Sequence, residues 1–207
     1  MSIDLLFDYR SGLSPVQDQG ERPTCVSFAT SVAHEHARGV MTALSAEYLH
    51  YFAANPSKGA TFPDAARALL VEGQPQEADC PYQHSEPPKD WTPPSGVQVY
   101  RRECELHHGN LGAVKDAISR GRLAVLGLTI SKDFFQPEYP WKIPSDGPIV
   151  GQHAVVAVAL GTSESNLHVL VRNSWGVDWG NHGHAWLGED YLSKHLRHVM
   201  TLTNEVN

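Results

Sequence analysis

Residues 84–96 read HSEPPKDWTPPSG, a stretch with four prolines and no periodic apolar face, and the chain changes character across it. Before it, apolar residues recur at helical spacing. Val26, Ala29 and Ala33, with Phe28 and Val32, define one face of a helix that Thr24 is placed to cap and Gly39 to stop near Arg38. Ser45 is placed to cap a second helix, and after a break at 55–59 the run Phe62-Pro63-Asp64 opens a third that turns Ala65, Ala68 and Leu69 inward and ends at Gly73. Beyond the proline-rich stretch, residues 97–100 alternate. Residues 123–130, 154–160 and 167–171 are near-continuous apolar runs of strand length, and 111–119 is a short amphipathic helix. The pattern predicts an α+β chain of two lobes, one helical over about 13–96 and one β-rich over about 97–200, joined by 84–96 at the surface.

Composition narrows the function classes. A net charge of -7, with no basic cluster larger than Arg101-Arg102, argues against a nucleic-acid partner. No apolar run is long enough to span a membrane, and the first residues, MSIDLL, have no basic n-region, so a cytoplasmic location is expected. Three cysteines are an odd number and lie far apart, which is not a disulfide framework. A Cys80–Cys104 bridge stays open at this stage, and Cys25 is a free thiol either way. The histidines come with no paired cysteines and no His-Glu-x-x-His spacing, so no metal site is expected.

Cys25 stands where a Gly/Pro-punctuated loop, PVQDQGERPT, enters the first helix. Unpaired N–H groups and the positive end of the helix dipole favour an anion there, so the thiol is expected to ionise more readily than a free cysteine. Gln19, on the same loop, carries an amide donor able to join the Cys25 N–H in holding an oxyanion. A free cysteine on a core helix is more often a packing residue, but a second motif argues otherwise. The strands at 153–160 and 167–173 are separated by Gly161-Thr162-Ser163-Glu164-Ser165-Asn166 and should form an antiparallel hairpin. Pairing Leu160 with Leu167 puts His153 opposite Ser174, one residue from Asn173. An asparagine oxygen that accepts the ring N–H of a histidine fixes its tautomer and leaves the other nitrogen free as a base. Trp175, in the glycine-rich run after Asn173, is placed to roof that hydrogen bond.

At these residues the chain resembles a papain-like cysteine peptidase. PVQDQGERPTCVSFA resembles that family's nucleophile loop, GQHAVVAVALG its histidine strand and RNSWGVDWGNHGHAWL its asparagine and tryptophan segment. Asp8-Tyr9-Arg10, LSAEYL at 44–49 and Cys80-Pro81-Tyr82 match further landmarks in order. The resemblance implies a single catalytic domain over 1–207, with a helical left lobe, an antiparallel β-barrel-like right lobe and a cleft between them, the N-terminal lead-in crossing from one to the other. It implies Cys25 as nucleophile, His153 as base and acid, Asn173 as its orienter and Gln19 as oxyanion donor, acting on a protein or peptide substrate without a cofactor. Substrate contacts are implied for Trp175, Phe62, Pro63, Leu126, Ala154 and Thr61, with an apolar side chain preferred two residues before the scissile bond. The same triad also serves deamidation, transamidation and isopeptide cleavage, and the fold can persist as a binding module without catalysis. Arg22-Pro23-Thr24-Cys25-Val26 departs from the family's Cys-Gly-Ser-Cys-Trp, removing the disulfide beside the nucleophile, which fits a reducing compartment. No inhibitory pro-segment is recognised upstream, so control by a regulatory protein partner is a further expectation.

Overall fold

The computed structural model describes residues 3–55 and 59–206, so the break expected at 55–59 lies partly outside the described residues. In chain order the elements are β1 (Asp4–Asp8), α1 (Cys25–Arg38), α2 (Ala46–Ala53), β2 (Ala54–Asn55), β3 (Gly59–Ala60), α3 (Phe62–Val71), β4 (Arg101–His108), α4 (Leu111–Ser119), β5 (Ala124–Ser131), β6 (Lys142–Ile143), β7 (Ile149–Ser163), β8 (Asn166–Arg172), β9 (His184–Gly188), α5 (Glu189–His195) and β10 (Leu196–Val206). The local chemistry explains most boundaries. Gly39 stops α1 in the left-handed region at φ 68. The hydroxyls of Ser45 and Thr61 cap α2 and α3 by accepting from the N–H groups of Tyr48 and Asp64. Thr24 departs from its expected role: its hydroxyl pairs with that of Tyr82 at 3.0 Å and makes no cap bond.

The strands after residue 100 form an eight-stranded sheet ordered β4-β10-β5-β7-β8-β9-β6, with β1 paired to the outer half of β7. β6 runs parallel to β9 and the other pairs are antiparallel. Among the described residues the ladder does not close on itself, so the β-rich lobe is an open mixed sheet. Residues 97–100, expected as a strand, contribute only an isolated bridge from Tyr100 to Gln74. The helices α1 and α3 lie against the sheet, α1 over β7, β5 and β10, α3 over β4 and β10. The centre of β7, from Ala154 to Leu160, is at most 3% exposed and is the spine of the core.

The β7–β8 hairpin forms as expected, with a different register. Thr162 pairs with Leu167 and Leu160 with Val169, two residues away from the expected partner. The connector is a two-residue turn of Glu164 and Ser165, both at positive φ (50 and 65), rather than the six residues assigned to it. From Ala159 outward a shift of two keeps each side chain on its expected face, and a bulge between Ala157 and Ala159 then brings the pairing toward His153 to within one residue of the expected partner.

The lead-in between β1 and α1 crosses from the sheet to the helices and is fastened from both sides. Arg172, at the end of β8, donates to the carbonyls of Ser14 and Pro15, both at 2.7 Å. Glu35 of α1 accepts from the Ser14 hydroxyl at 2.7 Å and from its N–H. These contacts bury the polar groups with partners and set where the loop carrying Gln19 begins. Cys80 and Cys104 are both free thiols, which closes the question of a bridge between them.

Candidate active site

Cys25 is the first residue of α1, and its half-buried sulfur receives the backbone N–H of Ala154 from β7 as well as those of Val26 and of Cys25 itself. The helix-end donors expected from sequence are therefore present, joined by one from the opposite lobe. Burial nevertheless outweighs them for the thiol taken alone and pushes it up from the ordinary cysteine value. This corrects the expectation that position at a helix start suffices to acidify Cys25.

His153 immediately precedes the Ala154 N–H that meets the sulfur. Its Nε2 lies 2.7 Å from Asn173 Oδ1. Because an amide oxygen only accepts, Nε2 carries the proton and Nδ1 keeps its lone pair. Burial pushes the His153 imidazolium down to about 4, with the Asn173 bond pulling in the opposite direction. Taken singly, Cys25 and His153 are thus both driven toward their neutral forms.

Asn173 is itself held: its Oδ1 also accepts the Ser174 N–H at 2.8 Å, and its own N–H donates to Gly183 O at 3.0 Å. The Trp175 ring covers the histidine, with centroids 4.4 Å apart and planes 34° from parallel. Phe135 stacks on Trp175 at 5.2 Å, and Phe134 meets His153 edge-on at 5.8 Å. The imidazole is walled by aromatic surface, which keeps water from competing for its hydrogen bonds.

Gln19 is oriented by three contacts. Its Nε2 donates to Arg22 O at 2.7 Å, its Oε1 accepts from the Ser174 hydroxyl at 2.7 Å, and its backbone N–H donates to Ser174 O at 2.8 Å. The flip of the amide is therefore defined, and the second N–H of Nε2 is available to a ligand. Ser174 was not singled out in sequence; its only signal is its place beside Asn173, because its partner lies at the far end of the chain.

Arg22 stands at the position where the resemblance calls for a disulfide cysteine, and a buried ion pair ties the loop instead. Arg22 meets the Glu47 carboxylate of α2 through both terminal nitrogens, at 2.5 and 3.0 Å, and also donates to Gln83 O at 2.6 Å. Both partners are buried, 5% and 1% exposed at the side chain. Arg22→Met strands the Glu47 carboxylate in the core and is expected to cost about 3–5 kcal/mol in urea denaturation, whereas Arg22→Met with Glu47→Leu recovers most of that loss. A single substitution costing less than about 1 kcal/mol contradicts this account of the loop.

The expected substrate contacts divide. Ala154 supplies its N–H to the sulfur, and Trp175 stands at the histidine. Phe62 and Pro63 open α3, with Phe62 buried and Pro63 exposed, and the Thr61 hydroxyl is occupied as the α3 cap. Leu126 does not join them. It pairs with Val155 and Val199, one residue out of step with Gly127, whose Cα faces Phe62, so alternation along β5 sends the Leu126 side chain to the opposite face.

A thiol at a helix start, set against a histidine–asparagine pair on a sheet, is the layout of a thiol hydrolase. The chain belongs to the papain family: the profile described as "Papain family cysteine protease" matches residues 4–199. Among curated proteins it is similar to chicken (Gallus gallus) cathepsin K, 28% identical over 188 residues covering 86% of this chain and 56% of that protein. Mouse (Mus musculus) pro-cathepsin H is 26% identical, covering 83% and 55%. The chain thus spans little more than half the length of these relatives. Among solved structures, xylellain, a cysteine protease from Xylella fastidiosa, superposes with a TM-score of 0.77 at 20% identity, covering all of this chain and 88% of that one. The bromelain protease from Ananas comosus, solved with the E64 inhibitor, gives 0.74 at 18% identity, covering 93% and 95%. At these identities the likeness shows a shared fold.

Proposed function

We propose that this chain is a thiol endopeptidase that cleaves peptide bonds through Cys25, His153 and Asn173. The observation that carries the reading is the 2.7 Å bond between His153 Nε2 and Asn173 Oδ1, which leaves Nδ1 as the acceptor beside the strand that meets the Cys25 sulfur. The Sγ proton passes to His153 Nδ1 and the sulfur attacks the substrate carbonyl carbon. The oxyanion is received by the Cys25 N–H and the open N–H of Gln19 Nε2. On collapse the C–N bond breaks and the proton on Nδ1 goes to the leaving amine. Water then attacks the thioester, giving its proton to His153. The acid product departs and the thiol recovers its proton.

The test is to treat the protein with the epoxide inhibitor E-64 and map the adduct by mass spectrometry, alongside hydrolysis of a peptide library. The expected result is one adduct, on Cys25, formed at least a hundredfold faster than on glutathione, as an activated nucleophile requires. Cys104, whose thiol burial pushes up to about 12, should stay unlabelled. Labelling of Cys25 at the glutathione rate, with no peptide cleaved, overturns the proposal.

A further inference from the structure

One continuous row of paired residues leads away from the sulfur across the sheet. Ala154 of β7 pairs with Gly127 of β5, Gly127 with His198 of β10, and His198 with His108 of β4. Directly paired residues share a face, and neighbouring strands lie about 4.8 Å apart, so His198 stands about 10 Å from Ala154. An extended peptide advances about 3.3 Å per residue. The leaving amine has to meet His153, whose ring is held by Asn173 and Trp175, the residues that follow β8. The acyl side of a substrate therefore runs the other way, over β5 and β10, and brings a side chain two or three residues before the scissile bond to His198.

The apolar space expected along this row is filled by the protein itself. Gly127 has no side chain, and a Cβ there would lie 3.1 Å from Phe62 Cε2 and 3.2 Å from His198 Cβ. Phe62 thus occupies the place above Gly127. What the row presents to solvent is the pair of imidazoles: His198 and His108 are exposed, their rings 5.6 Å apart, with Phe62 5.7 Å from His198. The nearest acid at the start of α3, Asp64, is engaged with the Thr61 hydroxyl at 2.6 Å. Glu105, which contacts His107, lies an odd number of residues from His108 on β4 and faces away. Two ring N–H donors that no carboxylate pairs with among the described residues, flanked by an aromatic wall, suit a carboxylate ligand.

We propose that His198, backed by His108, reads an acidic side chain of the substrate two or three residues before the scissile bond. The proposal rests on Cys25 as the nucleophile, replaces the apolar preference implied by resemblance, and makes His198 a specificity-determining residue.

The experiment uses the Cys25→Ala protein in calorimetry with peptide pairs that differ only in Glu or Leu, at the second and at the third position before the cleaved bond. The Glu peptide is expected to bind about tenfold more tightly at one of the two positions, the worth of one charge-assisted hydrogen bond. That ratio should fall to near one with His198→Leu and by a smaller factor with His108→Leu. Equal or tighter binding of Leu at both positions, a ratio unchanged by His198→Leu, or no measurable binding of either peptide overturns the proposal. Turnover of the same peptides by the unsubstituted protein separates the two readings. Cleavage without a Glu preference removes the His198 assignment alone. A Glu preference in binding with no cleavage removes the catalytic assignment alone.

Discussion

His153→Ala is expected to lower kcat/KM for peptide hydrolysis by about 10⁴-fold, while Asn173→Ala lowers it by about 10- to 100-fold. The two figures differ because the residues act differently on the same proton. In the proposed mechanism His153 takes the thiol proton and returns one to the leaving amine, so its loss removes both transfers and leaves a half-buried thiol that desolvation pushes toward the neutral form. Asn173 carries no proton in that mechanism; it holds the ring through one 2.7 Å bond while Trp175 and Phe134 wall it. Its removal costs about one hydrogen bond's worth of ring orientation and shifts weight to the wrong tautomer. Steady-state kinetics with the pH profile of E-64 labelling distinguish the roles. His153→Ala should give a profile that follows a lone thiol, whereas Asn173→Ala should keep the wild-type shape at reduced amplitude. Equal losses in both variants would contradict the assignment of Asn173 as a positioning residue.

Acid is expected to unfold this protein through two buried histidines, His34 and His184. His34 on α1 is fully buried, bonded through Nδ1 to Gln74 Oε1 at 3.0 Å, and burial, aided by Arg102 and Arg38, holds its imidazolium down at about 4. His184 on β9 is held at about 4 by burial too, with Arg172 and Arg10 adding in the same direction and its bond to His182 O opposing. In the unfolded chain both titrate near an ordinary histidine value of about 6.5. Between pH 6.5 and 4 the unfolded chain binds protons that the folded chain refuses, so stability is full above about 6.5 and falls as pH drops through this window. Two such groups amount to a loss on the order of 5 kcal/mol or more, comparable with the whole stability of a domain. Urea denaturation from pH 7.5 to 4.5 should therefore show a steep fall, shallower in His184→Gln. A flat profile over that range would contradict the burial of these rings as neutral groups.

The parts of this architecture legible in sequence are those whose information is local. The start of α1 at Cys25, the stop at Gly39 and the cap at Ser45 depend on residues within one turn. The His153–Asn173 juxtaposition was legible because a hairpin converts sequence proximity into spatial proximity, and it tolerated an error of two in register at the turn that the bulge reduced to one toward His153. That error arose because the connector was drawn over all six residues from Gly161 to Asn166, whereas the chain turns on Glu164 and Ser165 alone, two non-glycine residues at positive φ. Leu126 was misassigned for a related reason. A fully buried strand is apolar on both faces, so composition carries no sign of which side a residue takes, and only the pairing of Gly127 with Ala154 and His198 settles it.

By itself, then, the sequence determined a helical half and a β half, a cysteine-bearing helix start and a histidine–asparagine hairpin, because helix caps and hairpins are encoded within a few residues of where they act. Tertiary structure alone decided how these parts are tuned. It brought Ser174 to Gln19, Glu47 to Arg22 and the Ala154 N–H to the Cys25 sulfur, and it placed Phe62 over Gly127 so that His198 stands open. It also reversed the sign expected for the thiol, since the dipole of a helix start is a local property while desolvation depends on everything packed around the sulfur.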